Sequence, residues 1–148
     1  MSTVSIRRPK AGDETAWRAL WAGYISFYRG SVSEEATATL WREILAEKGQ
    51  FEAFVAERDG TVIGFVHYLY HTSTWSTAPV CYLQDLYVDP KSRGGGAARS
   101  LMDAVFDAAK VQGAYRVYWQ TQEFNGAARS LYDTIVPRSS FIVYRKAL

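Results

Sequence analysis

The sequence predicts an α/β fold, a domain of three layers in which helices flank a mixed central sheet. Three observations carry that prediction. Two β-prone runs in the middle of the chain meet at Asp59-Gly60, the strongest short-range hairpin signal. Two amphipathic helical patterns precede them. Strands then alternate with helices only in the second half, so antiparallel and parallel pairings share one sheet. At 148 residues the chain has the length of one ordinary domain, spanning 1–148, and it can bury a sizeable core without staples.

Val4 to Arg8 alternates as a short strand. Asp13 is a suitable N-cap for a helix running to about Tyr28, along which Trp17, Leu20, Trp21, Tyr24 and Tyr28 recur at helical spacing. Ser33 caps a second helix to about Glu47, with Glu34 and Glu35 placed to meet the positive end of its dipole. Phe51 to Arg58 and Thr61 to Tyr70 form the hairpin, and Pro79 to Val88 is a further strand. A long helix from Arg99 to about Gln112 turns Leu101, Val105, Ala108 and Ala109 inward. Tyr115 to Thr121 is strand-like, Asn125 to about Tyr132 is a short helix, and Phe141 to Arg145 is expected as a final strand.

Composition narrows the function classes. Hydrophobic residues make up 48% and charged residues 22%, a globular balance. A net charge of +2, with no run of Lys and Arg, speaks against nucleic acid as a partner. The single cysteine, Cys81, allows no internal disulfide and reads as a small core residue. No apolar stretch approaches the roughly 18 residues of a membrane span. Met1 to Lys10 has no signal-type hydrophobic region, so a cytoplasmic location is expected. His67 and His71 share one strand face, but a third metal ligand is not evident and no metal is expected.

The most informative stretch runs from Tyr82 to Pro90 and continues as Arg93-Gly94-Gly95-Gly96-Ala97-Ala98. An apolar strand ends at a proline, and a glycine-rich turn opens directly into a helix. Glycines leave backbone N–H groups uncovered, and the helix start points its own free N–H groups the same way. That is an anion site suited to a pyrophosphate.

With Arg93, Gly96 and Ala98 in their places, Val88 to Ala98 resembles the acetyl-CoA signature of the GNAT N-acetyltransferase superfamily. Asn125-x-x-Ala128-x-x-Leu131-Tyr132 resembles that superfamily's last helix, and the element order agrees over nearly the whole chain. Thr74-Trp75, Tyr82 to Val88 and Tyr118-Trp119-Gln120-Thr121-x-x-x-Asn125 resemble the branch of spermidine/spermine and fungal histone/polyamine and D-amino-acid acetyltransferases.

The resemblance implies direct acetyl transfer in a ternary complex, with acetyl-CoA as cosubstrate and no acyl-enzyme on Cys81. It implies that the backbone of Arg93, Gly94, Gly95, Gly96, Ala97 and Ala98 holds the pyrophosphate. It also implies that Leu86, Tyr87 and Val88 pair with the pantetheine arm and polarise the acetyl carbonyl. Asn125 and Ala128 would fix the arm from across the cleft, and Tyr132 would protonate the leaving thiolate. The branch carries a glutamate where this chain has Gln84, which cannot accept a proton. Asp85 is the neighbouring candidate for substrate binding or amine deprotonation, with a water chain as the competing route. Strand neighbours point to opposite faces, so only a bulge would re-aim it. Tyr24, Tyr28 and Trp75 are candidates for a cation–π wall, with Gln84 and Asp85 beside them as substrate contacts. Glu34 and Glu35 suit a polyamine, while Arg29 suits an acceptor with a carboxylate.

The expected function is acetylation of a small primary amine, a polyamine or diamine first and an amino acid next. A protein or histone tail, or a CoA-binding regulatory module that has lost catalysis, is the alternative. A homodimer is expected, with Ile135 to Leu148 as its pairing element.

Overall fold

The structure is a computed structural model and describes residues 3–148. Five strands form one sheet in sequence order: β1 (Ser5–Arg7), β2 (Glu52–Arg58), β3 (Thr61–Ser73), β4 (Ser76–Val88) and β5 (Val117–Tyr118). The first three pairings are antiparallel and β4 runs parallel to β5. The helices are α1 (Glu14–Phe27), α2 (Glu34–Leu45), α3 (Ala97–Gln112) and α4 (Gly126–Tyr132). This is the mixed α/β sheet that the sequence predicts.

Local chemistry explains the joints. Asp59 and Gly60 take φ of 52° and 78°, the paired positive values of a type I′ hairpin turn. The Ser33 hydroxyl accepts from the Ala36 N–H and starts α2. Asp13 departs from expectation. Its carboxylate accepts two bonds from Arg7, at 2.7 and 3.0 Å, and one from the Lys10 N–H at 2.8 Å. It therefore closes a short 3-10 turn, Ala11–Asp13, and α1 begins without a side-chain cap. The Arg7 guanidinium holds the Asp13 carboxyl below its ordinary pKa.

Each sheet face has its own core. On one, Trp17, Leu20 and Trp21 of α1 and Trp41 and Ile44 of α2 pack on Val55 and Phe65, with the Trp17 and Trp41 rings 4.9 Å apart. On the other, Leu101, Met102, Val105 and Ala109 of α3 cover Val66, Tyr68, Cys81, Leu83 and Val88. Burial of each large side chain contributes roughly 1.5–3 kcal/mol.

The register along β3 and β4 decides which face each β4 side chain meets. His67 lies opposite Asp85, but Tyr68 lies opposite Leu83, so Gln84 is an extra residue without a partner. This β-bulge switches the phase of the strand. Cys81 and Leu83 face α3 before it, and Leu86 and Val88 face α3 after it. Asp85 and Tyr87 are thereby turned to the α1 face, beside His67 and Phe65.

Other departures are of extent. β3 and β4 run further than expected and meet at Thr74-Trp75, α3 starts two residues earlier at Ala97, and β5 keeps only Val117–Tyr118. The expected strand Phe141 to Arg145 does not form. A strand exists through a partner's hydrogen bonds, and no ladder among the described residues reaches this segment. Phe141, Ile142, Val143 and Tyr144 are left 90%, 74%, 64% and 89% exposed. Among the described residues, no helix is long and apolar enough to cross a membrane.

Candidate functional site

The parallel pairing of β5 with β4 covers only Cys81 and Tyr82. Beyond the bulge at Gln84, no strand among the described residues pairs with the end of β4 on that side. The gap opens into a cavity of about 490 Å³ lined by Leu86, Tyr87 and Val88 on one side and by Asn125, Ala128 and Tyr132 on the other. Arg93, Gly94, Gly96, Ala97 and Ala98 close one end, and Tyr24 and Tyr28 of α1 line it as well. Most residues predicted to hold a phosphorylated ligand thus share one cavity.

The glycine turn fits an anion. Gly94 and Gly96 take φ of 90° and 82°, and nothing lies within 4 Å of where a side chain would begin at either. Gly96 starts α3 and no side chain caps it, so first-turn N–H groups remain for a ligand. Gly95 does not line the cavity and sits over Arg58 instead. Arg58 Nη1 donates to the Ser92 carbonyl at 3.5 Å, while its buried Nε and Nη2 find no hydrogen-bond partner among the described residues, which leaves donor capacity of a positive charge under the turn. The Arg93 side chain folds back, its Nε donating to the Val88 carbonyl at 3.2 Å and its guanidinium lying over the Tyr87 ring. Opposite, Asn125 Oδ1 accepts from the Ala128 N–H at 3.3 Å, which caps α4 and leaves the Asn125 amide NH2 for a ligand.

Burial pushes the Tyr132 phenol up to about 12, with nearby Tyr28 adding to the shift. Tyr132 therefore carries its proton at neutral pH. Its ring meets Trp119 at 5.6 Å, which fixes it on the cavity wall. Burial also pushes the Tyr24 phenol well above its ordinary value, and the Asp85 carboxylate pushes it further.

Asp85 does not itself line the cavity. It lies behind, next to Tyr24, its side chain 14% exposed. Its Oδ2 is 3.0 Å from His67 Nδ1, and the Trp17 indole N–H donates to His67 Nε2 at 3.0 Å. His67 is 2% exposed. From the sequence alone, His67 is legible only as a strand-face histidine. Its partnership depends on the bulge, which no local pattern announces.

Gln84 is exposed and outside the cavity. Trp75 is not brought to it either: the longer β3–β4 hairpin carries Trp75 to its tip, 93% exposed. Glu34 is engaged by Arg18 at 2.9 Å, and Arg29 lines a second depression between α1 and α2. His71 bonds the Tyr118 hydroxyl at 3.0 Å on the exposed part of the sheet.

Comparison with known proteins gives a consistent result. Residues 17–134 match the family described as acetyltransferase (GNAT). The chain is 34% identical over 145 residues to the D-amino-acid N-acetyltransferase HPA3 of Saccharomyces cerevisiae, covering 97% of this chain and 90% of that protein. It is 35% identical over 131 residues to the uncharacterized N-acetyltransferase YhfO of Bacillus subtilis, covering 88% and 87%. Among solved structures, a probable acetyltransferase superposes with a TM-score of 0.84 at 22% identity, covering 97% of each chain. The aminoglycoside N-acetyltransferase AAC(6')-Iy in complex with CoA superposes with a TM-score of 0.81 at 23% identity, covering 100% of this chain and 97% of that one.

Proposed function

The chain belongs to the acetyltransferase (GNAT) family and is an acyltransferase; from that premise we propose that it moves the acetyl group of acetyl-CoA onto the primary amine of a small molecule. The carrying observation is the cavity itself. One opening brings together an uncapped helix start at positive-φ glycines, an unpaired strand end and a protonated tyrosine. Acetyl-CoA supplies a thioester, and this chain's residues do the rest. The N–H groups from Gly94 to Ala98, with Arg58 beneath, hold the pyrophosphate. The backbone of Leu86 to Val88 orients the arm and meets the charge that develops on the acetyl oxygen.

The acceptor must arrive as a free amine, yet an exposed ammonium has a pKa of about 10.4. Its proton passes to Asp85 or to water and then to solvent. The amine nitrogen bonds to the carbonyl carbon, the carbon–sulfur bond breaks, and the thiolate takes the Tyr132 proton; the nitrogen gives up its second proton to solvent, and solvent returns one to Tyr132. The products are an N-acetyl amine and CoA thiol. Tyr24 and Tyr28 offer ring faces to the incoming cation.

Sequence reading alone ranks polyamines first. The similarity to a D-amino-acid N-acetyltransferase raises amino acids to the same rank. The test is acetyl-CoA-dependent release of CoA thiol against spermidine, spermine, putrescine, D- and L-amino acids and a histone-tail peptide. Turnover is expected with one small-amine class. Turnover with the peptide alone would replace the small-amine reading. CoA binding without turnover on any of them would favour a regulatory module.

A further inference from the structure

In the core beneath α1 and α2, a histidine is buried against an acid that lies just behind the cavity, next to Tyr24. The bonding pattern there has one solution. An indole N–H only donates, so His67 Nε2 must accept from Trp17. A neutral imidazole has one donor and one acceptor, so its proton sits on Nδ1. That N–H then donates to Asp85 Oδ2, 3.0 Å away. Phe65 stacks on the ring at 4.5 Å and Trp21 meets it edge-on at 5.2 Å, so it is packed among aromatic neighbours.

We propose that His67 is a positioning residue for Asp85, with Trp17 fixing the tautomer that lets it act. The inference rests on the acetyltransferase reading of the cavity and names how its acid is held. The bulge at Gln84 puts Asp85 on the α1 face, and the His67 N–H holds Oδ2 there. His67 engages Oδ2, and the carboxylate's other contact is Tyr24, which lines the cavity, so the amine's ammonium group meets Asp85 past the Tyr24 phenol. His67 itself passes no proton: its Nε2 lone pair is taken by Trp17, and its Nδ1 already carries one. The amine's proton goes to the Asp85 carboxylate and from there to solvent, with His67 unchanged. A carboxylate held by a charge-assisted bond keeps one orientation, whereas a free one rotates away from the acceptor.

The chain has two histidines, so nitrogen NMR of protein with 15N-labelled histidine resolves both. The expected spectrum at pH 8 shows a buried ring protonated on Nδ1, and its Nδ1 proton signal moves in Asp85→Asn. A buried ring protonated on Nε2 would overturn the proposal. That readout needs no activity, so it separates a failure here from a failure of the acetyltransferase reading. Kinetics on the small amine that turns over best supply the second arm. His67→Leu is expected to lose about tenfold or more in kcat, with the KM for acetyl-CoA unchanged. His67→Asn keeps an N–H near the Nδ1 position and should recover most of that loss. Wild-type kcat in His67→Leu, or equal loss in both variants, would sink the positioning role.

Discussion

Tyr132 shows what a single side chain gains from its surroundings. Burial holds its phenol up to about 12, so it stays protonated at neutral and mildly alkaline pH. A general acid contributes typically about 10²–10⁴-fold. Tyr132→Phe should therefore lower kcat by about a hundredfold while leaving the acetyl-CoA Kd as it was, read by single-turnover kinetics and calorimetry. An unaltered kcat would remove Tyr132 from the chemistry. Much of this residue level is legible in the sequence. Gly94, Gly96, Asn125 and Tyr132 stand out by type and spacing, and they meet in one cavity. Trp75 and His67 are not legible. The first depends on how far a hairpin extends, and the second on pairing across strands distant in sequence.

At the level of elements, the bulge in β4 is the feature that shapes the cleft. Deleting Gln84 would give β4 unbroken alternation, with Leu83 and Asp85 still opposite Tyr68 and His67. Bulges add local bend and twist, and the strand end that leaves β5 follows immediately. The deletion should therefore fold with an undiminished Tm but bind acetyl-CoA about tenfold more weakly, about 1.4 kcal/mol. Unchanged affinity would show that the loop and α4 open the cavity without the bulge. Elements with strong local signals, such as the Asp59-Gly60 turn and the Ser33 cap, were predictable. Phe141 to Arg145 has the composition of a strand, but composition supplies no partner edge.

For the whole molecule, alkaline pH and self-association are the informative variables. The unfolded chain releases the Cys81 proton near 9.0 and tyrosine protons near 10.0, whereas the fold holds Cys81 to about 11 and Tyr70 and Tyr132 to about 12. Burial causes all three shifts. Above pH 9 the folded state binds more protons than the unfolded one, so stability is complete below pH 9 and falls as pH rises towards 12. Tm should drop by about 5 °C between pH 9 and 10.5, with a later onset in Cys81→Ala. A flat Tm would contradict these shifts. The exposed run Phe141 to Tyr144 gives the second prediction. Contiguous exposed apolar residues mark an interaction surface, and an open strand edge marks a pairing site. If the run pairs two copies, the intact chain sediments as a dimer and a chain ending at Ser140 as a monomer. Equal masses would exclude it as the pairing element.

The placement of the five tryptophans has an optical consequence. Trp75 stands in water at the hairpin tip, Trp17, Trp21 and Trp41 crowd around one buried core, and Trp119 touches Tyr132. An ionic quencher such as iodide should extinguish Trp75 first and leave the core trio bright. In a Trp75→Phe chain, the remaining emission divides between a fold reporter and Trp119, whose intensity should change when a ligand enters beside Tyr132.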